Sequence, residues 1–508
     1  MKQQHILIGG IFLIGLISLW NIYTDREKIN RVTINNEKFT PIGVNIVCEF
    51  AVDSTGYFAL PSLPNLGSKT FHINRRSVKE KTFEIMKELR DKGINIVRLT
   101  GLSVKKHKEK DINTIGFYYK NFLKKDKKKK FYSFNGDYDV VTKPLNEFLN
   151  IIDSAGIKVI LLVGGGGVDK YESRYLYRDY IKALDNILGN NKALFAYDFY
   201  NEPAFFSFKT DYKKSEIKKI SKLWNAAVKS DKYTTYGLFA DNDFFQWDPE
   251  ILECDFVTFH IYPYLKKELN YDFDKALLKT KRNYRWYKEN LKVPWFISET
   301  GFPGTNYNYK NKPFLGTEQQ QLEFVKYSNN MINYSGGLGI IYWQYSEVHW
   351  YNFDKGPISR NNCYGIKYSF VNEVPESAKN KWKPAINELV KFSIDKNIEP
   401  NDITDNEYYN FFNYQEKAFE GVIKDEKGNF IKGATIIAEW QYYDSKGKKH
   451  KINNKTFSKE DGAFVMNMAS KDYQNHLISL KITYLNKENY YATDLKKRFY
   501  DVVLKTVQ

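Results

Sequence analysis

The sequence predicts an α/β chain, a (β/α)8 barrel followed by a small all-β sandwich, on three observations. From Pro41 onward, eight short apolar runs rich in β-branched residues alternate with longer amphipathic stretches. Several of those runs end in a charged or amide side chain. Past residue 416 the pattern changes to short strands punctuated by glycine.

The eight runs are Ile42–Val47, Ile94–Leu99, Ile157–Val163, Leu194–Asn201, Thr234–Ala240, Phe256–Ile261, Trp295–Glu299 and Leu338–Gln344. The spacing predicts helices over Val78–Lys92, Leu145–Ala155 and Phe273–Leu291, the first two stopped by Gly93 and Gly156, since glycine takes the left-handed conformation that ends a helix. Eight parallel strands covered by helices close most naturally into a barrel, whose site lies where the strands' C-terminal ends meet the following loops. An open doubly wound sheet is the competing arrangement. Against it, no G-x-G-x-x-G follows the first run, and Gly164–Gly167 after the third reads as a loop rather than a phosphate cradle.

The chain has 508 residues, 42% hydrophobic and 17% aromatic, too rich in packing groups for a disordered polymer. Its organisation reads as an N-terminal signal peptide or membrane anchor over 1–24, the barrel over 25–395, a polar linker over 396–416 and the sandwich over 417–508. The leading segment places Lys2 ahead of an apolar stretch from Ile6 to Trp20 and then Asp25-Arg26-Glu27-Lys28, an export pattern. Cleavage and retention both fit, because extending the stretch to Tyr23 approaches the length of about 20 residues that spans a bilayer. The chain body is expected outside the cytoplasm: periplasmic, cell-surface or secreted.

A net charge of +17 bears on solubility and nonspecific attraction rather than on a particular partner. Lysines are spread along the chain, and the dense run Lys124–Lys130 contains Asp126, so it reads as a solvated loop, not as a nucleic-acid surface. Cys48, Cys254 and Cys363 are too scattered for a disulfide framework or a zinc site. No metal or cofactor is expected.

Polar residues fall where a barrel site needs them. The fourth run ends Tyr200-Asn201-Glu202-Pro203, the sixth His260-Ile261-Tyr262-Pro263, the seventh Ser298-Glu299-Thr300-Gly301 and the eighth Tyr342-Trp343-Gln344. A carboxyl group at the end of an apolar strand is costly to bury without purpose. Two of them, Glu202 and Glu299, converging on one mouth suit glycoside hydrolysis: one protonates the leaving oxygen, the other attacks the anomeric carbon or activates water.

On these motifs the stretch from about Phe39 to Phe392 resembles the clan of retaining glycoside hydrolases with (β/α)8 barrels that includes the family-5 cellulases and mannanases. The resemblance rests on Asn201-Glu202-Pro203, the strand-seven Glu299, Arg98 on strand two and the His260-x-Tyr262 of strand six. It implies Glu202 as general acid/base, Glu299 as nucleophile and Asn201 as partner of the sugar 2-hydroxyl. Arg98 and Tyr262 would hold and ionise Glu299, His260 would line the site, and Trp343 would stack under the reacting sugar. The implied partner is a carbohydrate substrate of β-glucan or β-mannan type, with double displacement as the mechanism. Many members carry a histidine at strand three, where this chain has Gly164–Gly167.

The insertion Phe117–Tyr138 is basic and aromatic, and Tyr118, Tyr119, Phe131 and Tyr132 either form a sugar platform or pack their own loop. Glu347 and His349 after the eighth run read as solvated loop residues with sugar contact as the alternative. Pro375–Asp395 reads as a closing helix.

In the C-terminal part, strands are expected over Phe419–Lys424, Ala434–Tyr443, Ala463–Met468, Ile478–Tyr484 and Tyr500–Leu504, with Asp461-Gly462 as a hairpin turn. Gly421-Val422-Ile423-Lys424-Asp425, Gly428 and Gly433-Ala434 resemble the carboxypeptidase-regulatory-like sandwich, which implies a spacer or attachment module. Sugar binding through Trp440, Tyr442 and Tyr443 is the other reading. For the whole chain, a catalytically silent glycan-binding or surface scaffold is the alternative to an enzyme.

Overall fold

A computed structural model describes residues 33–34, 37–53, 55–61, 75–103, 123–126, 131–134, 139–163, 174–202, 214–239, 252–265, 267, 270–291, 293–307, 312–347, 360–368, 377–394, 418–443, 449–458, 462–467, 477–492 and 499–504. The expectations placed on 1–24, Tyr118, Tyr119, Gly164–Gly167, His349 and the linker 396–416 lie outside the described residues. Among the described residues no helix is long and apolar enough to cross a membrane.

The eight apolar runs form a closed parallel barrel: β1 (Ile42–Asp53), β2 (Ile96–Ser103), β3 (Lys158–Leu162), β4 (Leu194–Asn201), β5 (Tyr233–Phe239), β6 (Val257–Ile261), β7 (Trp295–Thr300) and β8 (Ile340–Tyr342). Closure is made by β8 pairing with β1, Ile340 opposite Ile42 and Tyr342 opposite Val44. Around it run α1 (Arg75–Asp91), α2 (Asp139–Ser154), α3 (Arg174–Leu188), α4 (Lys214–Asn225), α5 (Phe273–Asn290) and α6 (Glu318–Tyr334). A ninth strand of the sheet, Gly56–Pro61, folds back antiparallel on the extended end of β1. Gly93 and Gly156, both at positive φ, end α1 and α2 as expected.

Strand alternation divides the side chains into two sets. Val97, Leu99, Val159, Leu161, Tyr197 and Phe199 share one large core with helix residues such as Ile85, Leu89, Leu149 and Ile181. The residues between them face inward. Ile96, Ile160, Ala196, Phe296 and Ile341 form a separate buried cluster that plugs the base of the barrel. Two residues further along their strands come Arg98, Asp198 and Ser298, all fully buried. The lumen is therefore apolar below and polar above, and the polar layer lies toward the strands' C-terminal ends.

Two register shifts interrupt the alternation where the site needs it. On β4, Thr235 pairs with Asp198 but Gly237 pairs with Asn201, so the strand carries one extra residue. Phe199 and Tyr200 both join the outer core as a result, and Asn201 turns inward. On β7, Phe259 pairs with Ile297 but His260 with Glu299, again one extra residue on the strand that carries the glutamate. Such irregularities re-aim side chains beside functional sites.

After β8 the chain departs from expectation. Instead of one helix over Pro375–Asp395, a turn at 377–380 precedes a short helix α7 (Ala385–Leu389). Trp382 is bridged to Lys367, Lys383 N–H donates to the Ile366 carbonyl, and Pro384 follows; this β-type pairing draws the segment away from helical geometry. Its apolar residues Ala385, Ile386 and Leu389 close onto the main core. Glu347 is neither solvated nor open to a sugar: it is buried and paired at 2.8 Å with the buried Lys383. Leu123–Asp126 and Phe131–Phe134 pair as an antiparallel hairpin, so part of the lysine run is strand rather than loop.

The C-terminal part is a two-sheet sandwich, as expected. Its strands are β9 (Ala418–Asp425), β10 (Thr435–Tyr443), β11 (Lys449–Phe457), β12 (Ala463–Asn467), β13 (Leu477–Tyr484), β14 (Lys487–Ala492) and β15 (Phe499–Leu504). One sheet has the order β12-β9-β15 and the other β11-β10-β13-β14. Ile436/Ala438, Leu480/Ile482 and Tyr500/Val502/Leu504 alternate into the shared core with Ile423 and Phe464. The turn at Gly462 carries the chain from β11 in one sheet to β12 in the other; it does not close a hairpin. Trp440, Tyr442 and Tyr443 lie on β10, and their side chains are outside the described set.

The Glu347–Lys383 pair ties the post-barrel segment to the end of β8, and removing one partner leaves the other charge buried alone. Lys383→Met is expected to cost about 3–5 kcal/mol, read as a fall in the thermal midpoint by calorimetry. A midpoint within a degree of the parent protein would show that the pair is not holding that segment.

Candidate active site

The polar layer is organised by one side chain. Arg98 is fully buried, and its guanidinium fork is filled. Nε and Nη2 approach Asp198 Oδ2 at 2.9 and 2.8 Å, Nη1 donates to Asn45 Oδ1 at 3.1 Å and Glu299 Oε2 at 2.9 Å, and Nη2 donates to Asn201 Oδ1 at 2.8 Å. Four strands, β1, β2, β4 and β7, are thus joined through one cation. Burial alone would lower the pKa of this guanidinium, but Asp198 and Glu299 together outweigh it and the net shift is upward. Asp198 is fixed in turn by the backbone N–H groups of Gly237 (3.1 Å) and Tyr200 (3.3 Å).

Glu299, at the end of β7, is 8% exposed. Tyr262 donates its hydroxyl to Oε1 at 2.5 Å while Arg98 holds Oε2. Burial first, and then Glu299, push the Tyr262 hydroxyl well above its ordinary pKa, so it stays a donor. Both carboxyl oxygens of Glu299 therefore have a fixed donor before any ligand arrives.

Glu202 sits in a different environment. It follows β4 in a left-handed backbone conformation, φ 52°, with its N–H bonded to the Gly237 carbonyl at 2.7 Å. A non-glycine residue in that region is held there by its surroundings and is found preferentially at functional sites. Its one described side-chain partner is His260 Nδ1, 2.8 Å from Oε1. Although 34% of the Glu202 side-chain surface faces the mouth, the surrounding protein displaces enough water to push its carboxyl up to about 7, a shift that Arg98 only partly opposes. Burial lowers His260 to about 4, so the imidazole is neutral around pH 7. A neutral ring can accept a proton's hydrogen bond from Glu202 or donate one to it. The ring is packed against Gly237, where a Cβ would stand 2.6 Å from Nε2; only glycine fits that position.

An oxygen of Glu202, an oxygen of Glu299 and a ring nitrogen of His260 lie within 4.8 Å of one another. Three such donors are also a conceivable metal set. Against that use, the cationic Arg98 already lies 2.9 Å from Glu299 Oε2, where a second positive charge would be repelled. Trp343 is half-buried at the end of β8, and its backbone N–H donates to the Thr300 carbonyl at 2.6 Å, which places it beside the end of β7.

The structure thus brings Glu202, Glu299, Arg98, Asn201, His260 and Tyr262 into one connected network, with Trp343 at its edge. Sequence reasoning missed Asp198 and Asn45, which fix Arg98 from either side. A signal existed for both: each is a lone polar residue inside an otherwise apolar strand run.

No protein-family model matches the chain, and no curated protein sequence matches it. Among solved structures it is similar to β-glucuronidases. The apo enzyme from Ruminococcus gnavus has 15% identity and a TM-score of 0.45, covering 71% of this chain and 51% of that one. The same organism's enzyme in complex with D-glucuronic acid has 14% identity and a TM-score of 0.46, covering 71% and 50%. The Faecalibacterium prausnitzii β-glucuronidase gives 14%, 0.46, 71% and 50%. This chain spans about half the length of those enzymes.

The raised pKa of Glu202 has a stability consequence. Its unfolded-state value is near 4.5 and its folded value about 7, so the stability contributed by the protonated form is fully present below 4.5 and is lost as pH rises to 7. Glu202→Gln is neutral at every pH. Its thermal midpoint is expected to match the parent at pH 4 and to exceed it at pH 8. An equal difference at both pH values would show that this carboxyl titrates normally.

Proposed function

We propose that this chain is a β-glycoside hydrolase that works with retention of configuration, Glu299 acting as nucleophile and Glu202 as general acid/base. The observation that carries the reading is a pair of carboxyl groups within 4.8 Å at one barrel mouth, held in opposite environments. Retaining enzymes place these groups about 5–5.5 Å apart, whereas inverting ones need about 6.5–9.5 Å to admit a water between them. An oxygen of Glu202 lying within 4.8 Å of an oxygen of Glu299 supports the closer, retaining arrangement.

In the first step an oxygen of Glu299 bonds to the anomeric carbon as the bond to the leaving oxygen breaks, and Glu202 gives its proton to that oxygen. In the second step Glu202, now ionised, takes a proton from water. The water oxygen bonds to the same carbon, and Glu299 is released. A carboxyl with a pKa of about 7 suits both halves, because it can be proton donor and acceptor near neutral pH. Asn201, oriented by Arg98, is assigned the contact to the 2-hydroxyl of the reacting sugar on the resemblance to the cellulase and mannanase clan. Trp343 offers an aromatic face beside it. A β-linked polysaccharide or oligosaccharide is the substrate class we assign, on the resemblance to the cellulase and mannanase clan, and the apolar N-terminal stretch supports export of the enzyme to its polymer.

A 2-fluoroglycoside with a dinitrophenyl leaving group is expected to release a burst of phenolate equal to the enzyme and to label Glu299, located by peptide mass spectrometry. Failure of every sugar configuration to label folded protein would instead favour a glycan-binding barrel. Glu202→Ala is expected to lose about 10²–10⁴-fold on substrates with poor leaving groups but much less on glycosylation by dinitrophenyl substrates, which need no acid. Equal losses on both types would contradict the acid role. For the parent enzyme, kcat/KM on a poor leaving group is expected to fall as pH rises through about 7, where Glu202 loses its proton, and this limb should be missing in Glu202→Ala.

A further inference from the structure

A second arginine stands beside the site with no counter-charge among the described residues. The segment after β8 re-enters as a short 3-10 turn, Arg360–Cys363, and the Arg360 guanidinium carbon lies 4.2 Å from the centroid of the Tyr264 ring. Tyr264 stacks on Tyr262, centroids 5.5 Å apart and planes within 8°. Tyr262 is the residue that donates to Glu299. Tyr364, four residues beyond Arg360, meets Tyr262 edge-on at 5.5 Å, and its hydroxyl is close enough to feel both charges: burial and Glu299 push its pKa up, while Arg360 pulls it down. Arg360 is therefore only two stacked rings from the proposed nucleophile.

Three other buried cations around the barrel have carboxylate partners. Arg98 has Asp198 and Glu299, Lys367 has Glu88, and Lys383 has Glu347. Among the described residues Arg360 has no carboxylate partner within salt-bridge distance, only the π-face of Tyr264. An aromatic face holds the guanidinium flat and leaves the in-plane N–H groups for a planar or tetrahedral anion, the bidentate recognition at which arginine excels. Glu299, two rings away, would repel an anionic substrate unless a cation lies on the approach.

Resting on the hydrolase reading above, we propose that Arg360 is a specificity-determining residue that binds an acidic substituent of the substrate, a uronic carboxylate or a sulfate ester, beside the reacting subsite. The enzyme's substrates are then acidic β-glycans rather than neutral ones. Tyr264 acts as a positioning residue by fixing the plane of the guanidinium.

The test uses the full chain and three families of 4-nitrophenyl β-glycosides: neutral hexosides, hexuronides and 6-sulfated hexosides. The parent is expected to favour an acidic family, with the hexuronide and sulfate arms telling the two anions apart. In Arg360→Gln the ratio of kcat/KM on the favoured acidic substrate to that on its neutral counterpart is expected to fall about 10–100-fold, as loss of a charge-assisted contact implies, chiefly through KM. Arg360→Lys, which keeps the charge but not the fork, should fall between. A parent that prefers neutral glycosides, or an Arg360→Gln loss equal on both, overturns the proposal while leaving the hydrolase standing. Calorimetric titration with free hexuronic acid, hexose 6-sulfate and hexose covers the remaining case. If no glycoside is cleaved, acid-selective binding that disappears in Arg360→Gln upholds the anion site and removes the hydrolase reading, and absence of such binding overturns the anion site too.

Discussion

One buried cation organises the mouth of this barrel. Arg98 has no water to solvate it, so its position is tolerable only while Asp198 and Glu299 stand beside it and Asn45 and Asn201 take its remaining N–H groups. Those partners come from three other strands, so the charge balance can be met only when the barrel is closed and in register. The same contacts hold Glu299 and Asn201 in fixed positions, which is the preorganisation that the proposed reaction would need. Folding and site assembly are in this sense one event.

The two glutamates then differ through their neighbours and not through their chemistry. Glu299 receives a guanidinium and a phenol on its two oxygens. Glu202 has a neutral imidazole beside it and an upward-shifted pKa. Environments that treat two like groups so differently are how a single fold assigns acid and nucleophile roles. Irregular backbone supplies the geometry: an extra residue on β4 and on β7, and the left-handed turn at Glu202, bring side chains inward that strict alternation would send outward.

Much of this was legible in the sequence, and the losses have physical reasons. All eight barrel strands were readable because each is a buried apolar run, and Glu202 and Glu299 stood out because they close such runs. Asp198 and Asn45 lie within strands, where a polar residue gives no sign of whether it faces lumen or helices until the register is known. Pro375–Asp395 has helical composition, but the local pairing of Trp382 with Lys367 and the burial of Lys383 are tertiary events that override it. In the sandwich, Lys449–Phe457 and Lys487–Ala492 escaped notice because both are polar and lie at the outer positions of their sheet, without the hydrophobic alternation of β10 and β13. Arg360 sits past the last barrel strand, where no periodicity points to the wall of the site.

In the proposed double displacement, two carboxyl groups act on one anomeric carbon from opposite faces, with the glycosyl group held on Glu299 between the steps. Proton NMR of the first product formed from a β-glycoside, followed within the first minutes before mutarotation, distinguishes this from single displacement by water. Double displacement releases the β-anomer first, with the α-anomer growing in later; initial release of the α-anomer would rule out Glu299 as nucleophile.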